Sequence, residues 1–343
     1  MTVASTIPTS RPRALPLPMT RVQKAYPQVI SGRRQLMDSK GGFALTNLAA
    51  LEAGGQTRQL AIGESQLAIL AIGDIGKNTA RQASVIQDLK NKANHMRASG
   101  KFPLILGLGD WQYPRGPAKD TADQKAQLDQ SILDALKPIA ARHPIYSILG
   151  NHEYGDKKGP ADPILFNQWA REKGIQIPGR YYNLEIEADR YDLDIFALDT
   201  TTIASDLDQQ EWFAAKVDES LQKERKSGQK RWRVLVGHHP PISHGSHQGE
   251  NTYLIDLLKP QLDHMDLYLA GHEHEQDLIY QNDLPPIVIN GSGSKIDPVD
   301  QPETPFRSDS GGATEIICNR HRLKVKYRNC LEKAPFASFA IKV

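Results

Sequence analysis

Five short apolar runs, each ending in glycine and then at once in a residue able to hold a metal ion, constrain this chain most. Residues 67–72 end in Gly73-Asp74, 103–108 in Gly109-Asp110, and 145–149 in Gly150-Asn151-His152. Residues 234–236 end in Gly237-His238 and 267–270 in Gly271-His272. Continuous apolar runs of this length suit strands buried on both faces. A sixth run, 287–289, ends in Asn290-Gly291-Ser292-Gly293 and carries no such residue. Helical patterns lie between the runs. Ala83, Ile86, Leu89, Ala93 and Met96 share one face of 79–97, and similar spacing marks 121–136 and 213–227. Alternating strand and helix predicts an α/β chain with a largely parallel sheet covered by helices. Ligands of such sheets bind outside the carboxyl ends of the strands, so all five polar residues can converge on one place. Residues 314–318 and 322–327 predict an antiparallel hairpin about Asn319-Arg320.

Composition removes several functions. Lys+Arg 42 against Asp+Glu 40 leaves a net charge of +2, which excludes a nucleic-acid binder relying on bulk charge. No uncharged apolar run reaches the length of a transmembrane helix, about 18 residues or more. Cys318 and Cys330 are too few for a disulfide scaffold or a cysteine-rich metal site; they either pair or stay reduced. Of 11 histidines, seven crowd into residues 238–274 (His238, His239, His244, His247, His264, His272, His274), which points to metal binding or proton transfer.

The strand-end residues form a coherent donor set. Asp74, Asp110, Asn151, His238, His272 and His274 offer three oxygens and three imidazoles, a mixture that suits first-row transition ions. Six donors are too many for one ion with an open position and about right for two ions sharing a carboxylate. The glycines are read as letting each strand end turn sharply and letting substrate approach the backbone.

With these residues in view, the sequence resembles the calcineurin-like metallophosphoesterases. Gly109-Asp110, Gly150-Asn151-His152-Glu153 and Gly271-His272-Glu273-His274 match that family's motifs in order. Asp74-Ile75-Gly76 lacks the Asp-x-His of most members, and Gly109-Asp110-Trp111-Gln112-Tyr113 looks like the G-D-x-x-Y motif of purple acid phosphatases. Leu235-Val236-Gly237-His238 stands for their V-x-x-H with Leu in place of Val, and Gly237-His238-His239-Pro240-Pro241 is most similar to the small, tartrate-resistant type. The resemblance spans roughly 67–293. It implies a sandwich of mixed β-sheets flanked by helices, built as a single domain over 59–343.

Roles follow from the resemblance residue by residue. Asp74, Tyr113 and His274 would hold one ion, Asp110 would bridge, and Asn151, His238 and His272 would hold the second. A tyrosinate favours Fe(III) at the first position; the second takes a divalent ion (Fe, Zn or Mn). The implied activity is acid phosphatase: hydrolysis of a small phosphomonoester, with hydroxide held by the ions attacking phosphorus in line. The alternative is a Zn- or Mn-dependent phosphodiesterase of the same superfamily, against which Tyr113 argues. His152 is expected to contact substrate phosphate. His247 occupies the place of the family's proton-donating histidine, with Ser246 where a glutamate would precede it, and His244 competes for that role. His239 replaces an aromatic residue and is expected to pack near the site, His264 to be exposed, and Asp199 to be structural. Arg115, Lys119, Lys157 and Lys158, in the segments 114–123 and 155–163, suit an anionic ester.

Residues 1–58 differ from the rest, with Pro8, Pro12, Pro16 and Pro18 and no periodic apolar pattern. Arg33-Arg34 ahead of the uncharged stretch 41–51 resembles a degenerate twin-arginine export signal, implying a periplasmic or extracellular enzyme. Asp38, Lys40 and the missing cleavage site leave a cytoplasmic protein as the alternative. The expected state is a monomer.

Overall fold

The computed structural model describes residues 6–7, 54–63, 65–157, 159–298, 306–308, 311–330 and 337–342. Strand–helix alternation alone suggests one largely parallel sheet; the strands instead form two mixed sheets packed face to face, the sandwich that the family resemblance implies. In spatial order the first holds β1 (Thr6–Ile7), β18 (Ala337–Lys342), β17 (Arg322–Tyr327), β16 (Thr314–Asn319), β3 (Gln66–Ile72), β4 (Lys101–Gly107), β5 (Ile145–Ser147) and β8 (Ile175–Gln176). The second holds β15 (Phe306–Ser308), β13 (Gln276–Ile279), β14 (Ile287–Asn290), β12 (Leu267–Ala270), β11 (Arg231–Gly237), β10 (Tyr191–Leu198), β9 (Tyr182–Ala188) and β2 (Gln56–Gly63). A two-stranded ribbon, β6 (Gly155–Asp156) and β7 (Gly159–Pro160), stands apart.

Each sheet has a parallel centre. In the first, β3, β4, β5 and β8 pair in parallel and β16 closes antiparallel on β3. In the second, β10, β11, β12 and β14 are parallel, with β9 and β13 antiparallel beside them. The expected hairpin is β16–β17, paired Asn319 to Arg322.

Strand β3 shows why the runs are continuously apolar. Leu67, Ile69 and Ala71 enter the core between the sheets, while Ala68, Leu70 and Ile72 enter the core beneath the helices. Both faces are dry, and each buried Leu or Ile contributes about 1.5–3 kcal/mol. The first sheet is covered by α1 (Ala80–Ala98), α2 (Ala122–Leu128), α3 (Asp134–Ala140) and α4 (Pro163–Glu172). The second is covered by α5 (Leu207–Ser227) and α6 (Tyr253–Leu262). The helix expected over 121–136 is α2 and α3 joined by a π turn at Asp129–Leu133. Helix α5 begins earlier than its apolar pattern because the Asp206 carboxylate accepts the Gln209 amide at 3.1 Å and caps it.

Position 58 falls inside β2, so the chain from Gln56 onward is part of the second sheet. Arg33-Arg34 and 41–51 lie outside the described residues. Among the described residues no helix is long and apolar enough to cross a membrane. Cys318 and Cys330 are free thiols: Cys318 is buried between the sheets, whereas Cys330 packs against the helix side of the first sheet.

Candidate metal centre

The five strand ends meet across the top of the two sheets, three from the first and two from the second. Beyond them the backbone is strained at the candidate ligands themselves. Asp74 and Asp110 have φ +57° and His272 +70°, in the left-handed region where non-glycine residues are uncommon. Of the glycines before these residues only Gly109, at φ +91°, is left-handed. The sharp turn is therefore made mostly by the ligand residue, and the glycines serve closeness. A Cβ on Gly150 would strike Asp110 Oδ1, and one on Gly271 would lie 2.7 Å from Asp74 Oδ2.

The side chains form two adjoining groups. Tyr113 Oη lies 2.7 Å from Asp74 Oδ1, 3.0 Å from Asp110 Oδ2 and 3.3 Å from His274 Nε2. His238 Nε2 lies 3.1 Å from Asn151 Oδ1 and 3.3 Å from Asp110 Oδ2. Asp110 thus belongs to both groups. The His272 amide donates to Asp74 Oδ2 at 2.8 Å, and its buried Nε2 has no hydrogen-bond partner. Second nitrogens are anchored: His238 Nδ1 on the Leu108 carbonyl at 2.7 Å, His274 Nδ1 on Asp297 Oδ2 at 2.8 Å. Each arrangement leaves Nε2 turned to the centre, as in imidazoles that ligate metals.

The electrostatics suit cations. Burial and the neighbouring Asp110 charge push the Asp74 carboxyl well above its ordinary range. Burial would raise Asp110 too, but His238 and His152 hold it well below the usual carboxylate range. Burial also lowers His238, yet Asp110 and Asp74 outweigh it and bring the imidazole up to about 10. Burial and both aspartates push the Tyr113 phenol well above its ordinary value. Two buried carboxylates, a phenol and an orphaned imidazole nitrogen crowd together, and burial with the neighbouring carboxylate charge disfavours the anionic forms of Asp74 and Tyr113. Positive ions among them relieve that repulsion and occupy the free lone pair, so the donor set fits a pair of metal ions.

Residues 67–276 match the calcineurin-like phosphoesterases. The chain belongs to that family. It is 26% identical to purple acid phosphatase 17 of Arabidopsis thaliana over 294 residues, covering 77% of this chain and 81% of that protein. It is likewise 26% identical to tartrate-resistant acid phosphatase type 5 of Rattus norvegicus over 254 residues, covering 68% and 74%. The resemblance read from the motifs is thus to real relatives. Among solved structures, GAP50, the anchor in the inner membrane complex of Plasmodium, superposes with TM-score 0.62 at 18% identity, covering 82% of this chain and 90% of that one. That likeness concerns the fold alone.

Around the centre this phosphoesterase places the remaining histidines unequally. His152 lies at the rim, its Nδ1 against the Pro114 carbonyl and its Nε2 3.8 Å from Asp110 Oδ2. The His247 ring lies 4.3 Å from that of His272, tilted by 39°, while His244 is paired with Asp277 Oδ2 at 3.0 Å. His239 is buried 4.5 Å from the His272 ring, and His264 is exposed. Buried Asp199 accepts from the Tyr154 hydroxyl at 2.5 Å and the Thr202 hydroxyl at 2.7 Å. Arg115 is half-buried, 3.9 Å from Asp156; Lys119 and Lys157 are exposed, and the Lys158 side chain lies outside the described residues.

Four supporting residues carried no role in the sequence. Glu153 accepts the amides of Asp110 (2.9 Å), Trp111 (2.8 Å) and Gly150 (2.7 Å), tying two strand ends together. Glu273 accepts from the His247 amide at 3.1 Å and faces its Nδ1 at 3.3 Å. Asp297 orients His274, and Lys77 lies 4.7 Å over the Tyr113 ring. Glu153 and Glu273 sit inside the motifs beside the candidate ligands, which was a usable signal; Asp297 and Lys77 had none.

Proposed function

We propose that the chain is an acid phosphatase that hydrolyses small phosphomonoesters at a centre of two metal ions. The observation that carries this reading is the Tyr113 hydroxyl within 2.7 to 3.3 Å of Asp74, Asp110 and His274. A phenolate beside two carboxylates is a hard, anionic set that favours Fe(III) at the first position. Asp74, Tyr113 and His274 would hold it, Asn151, His238 and His272 would hold a divalent ion, and Asp110 would be shared between the two. Two bound ions supply Lewis acidity toward the phosphate oxygens and lower the pKa of water at the site.

The chain's own residues do the rest. His152, anchored through Nδ1, presents Nε2 at the rim to a phosphate oxygen. His247 turns Nδ1 to Glu273 and keeps Nε2 for the leaving oxygen, which it protonates as the ester bond breaks. His244, engaged with Asp277, is the weaker candidate for that role.

The test is hydrolysis of p-nitrophenyl phosphate and of bis(p-nitrophenyl) phosphate across pH by protein supplied with Fe(III) and Zn(II). Faster turnover of the monoester at acidic pH supports the reading. Preference for the diester overturns it in favour of a phosphodiesterase. Export is part of the proposal: residues 1–58 should carry a reporter out of the cytoplasm, and Arg33→Lys with Arg34→Lys should stop it. A reporter retained with both arginines intact ends the export reading.

A further inference from the structure

We propose that His239 is a third imidazole donor at the second metal position, beside His238 and His272, and that this position takes Zn(II) or Fe(II) in preference to Mn(II). The proposal rests on the two-ion reading above and adds to it a ligand and a choice of ion.

Successive residues of a strand point to opposite faces. Strand β11 ends at Gly237, however, and past that point both rings reach the same hollow. The His238 and His239 rings are 5.0 Å apart at 82°, and they lie 5.2 and 4.5 Å from the His272 ring. One ring nitrogen from each lies within 4.8 Å of the other two. Nitrogens sharing one ion at about 2.0–2.1 Å stand roughly 3 Å apart in a five-donor set, within the spacing that bounds these three.

The His239 ring is also held as a ligand is held. Its Nδ1 lies 2.8 Å from Thr200 Oγ1, and its own amide donates to that oxygen at 3.0 Å. The anchored Nδ1 leaves Nε2 as the free nitrogen, the same division of labour as in His238. All three rings are at most 9% exposed. A residue needed only for packing would do better as an apolar ring, which has no nitrogen to desolvate.

Three imidazoles beside the Asn151 amide oxygen and Asp110 make a nitrogen-rich position. Imidazole suits zinc and ferrous iron, whereas Mn(II) favours carboxylate, carbonyl and water oxygens.

The Zn K-edge X-ray absorption spectrum of the full-length protein loaded with Fe(III) and Zn(II) counts imidazoles on zinc alone. Three are expected, and two overturn the proposal. His239→Phe, which keeps a ring in the hollow, should weaken zinc binding on the order of tenfold or more and narrow the preference for zinc over manganese. The visible absorption from Tyr113 and the first ion should persist in that variant. Zinc affinity equal to the wild type overturns the proposal. A wild type that hydrolyses aryl phosphate with two imidazoles on zinc overturns this inference alone; one that binds no pair of ions and hydrolyses nothing overturns the function it rests on.

Discussion

His247 and Glu273 face each other at the mouth of the site although 26 residues separate them in the chain. The glutamate missing beside His247, where Ser246 stands, is supplied through space from between His272 and His274. Its hydrogen bond outweighs the cost of burial and raises the His247 imidazole above its ordinary value. A raised imidazole is protonated below that value and loses its proton as pH rises through it.

Turnover of alkyl phosphates, whose leaving oxygen needs a proton, should therefore fall as pH rises through the His247 value. Glu273→Gln should shift that basic limb to lower pH. His247→Ala should slow alkyl phosphates by about 10²-fold or more and aryl phosphates much less. Profiles of kcat against pH for the two ester types provide the check. Equal losses on both types would move the donor role to another residue, His244 first.

Tyr113→Phe should abolish visible absorption while leaving the fold largely unchanged. The half-buried ring keeps its packing beside His152, at 4.4 Å, and only the phenolate oxygen is lost. Absorption spectra and circular dichroism of wild type and variant decide it. A fully active wild type that is colourless with zinc at both positions would remove Fe(III) from the assignment.

Gly150→Ala tests whether closeness is the reason for glycine at the strand ends. Gly150 has φ −103°, which alanine adopts freely, so the obstacle is the added Cβ, which would strike Asp110 Oδ1 and lie 2.6 Å from the Asp110 backbone nitrogen. Asp110 must move, and it is shared by both halves of the centre. Bound metal, measured by elemental analysis, should fall for both ions, with a lower melting temperature because the Asp110 backbone must shift too. Full occupancy of both positions would show that the carboxylate yields without cost.

Glu315, far from the centre, should make stability depend on pH. It is buried on β16, 2.6 Å from Lys326 and 3.0 Å from Arg328. Burial alone would raise its carboxyl, but the two cations win and hold it below the ordinary value. A lowered folded-state value means the stabilisation is full above the unfolded value and is lost as pH falls through the folded one. Glu315→Gln should thus cost about 1–3 kcal/mol at pH 7, with the gap closing in acid. Urea unfolding at both pH values measures it; a gap independent of pH would assign the effect to packing.

The five strands and the polar residues ending them are written locally. A strand dry on both faces must be apolar throughout, and a donor at its end must follow directly, so β3, β4, β5, β11 and β12 each carry their own mark. The motifs around Asp110, Asn151 and His272 likewise pointed to the family from adjacent residues alone. Whether these strands share one sheet was not local: β5 and β11 look alike in sequence, and only pairing with β4 or β10 assigns them to different sheets. The supporting groups were equally beyond a linear reading. Glu273 reaches His247, Asp297 reaches His274 and Thr200 holds His239 across gaps that no short motif spans, because the closing of two sheets brings their strand ends together. The sequence determined which side chains are available for chemistry at the centre; the tertiary structure decided which of them touch, since contact between distant segments is a property of packing.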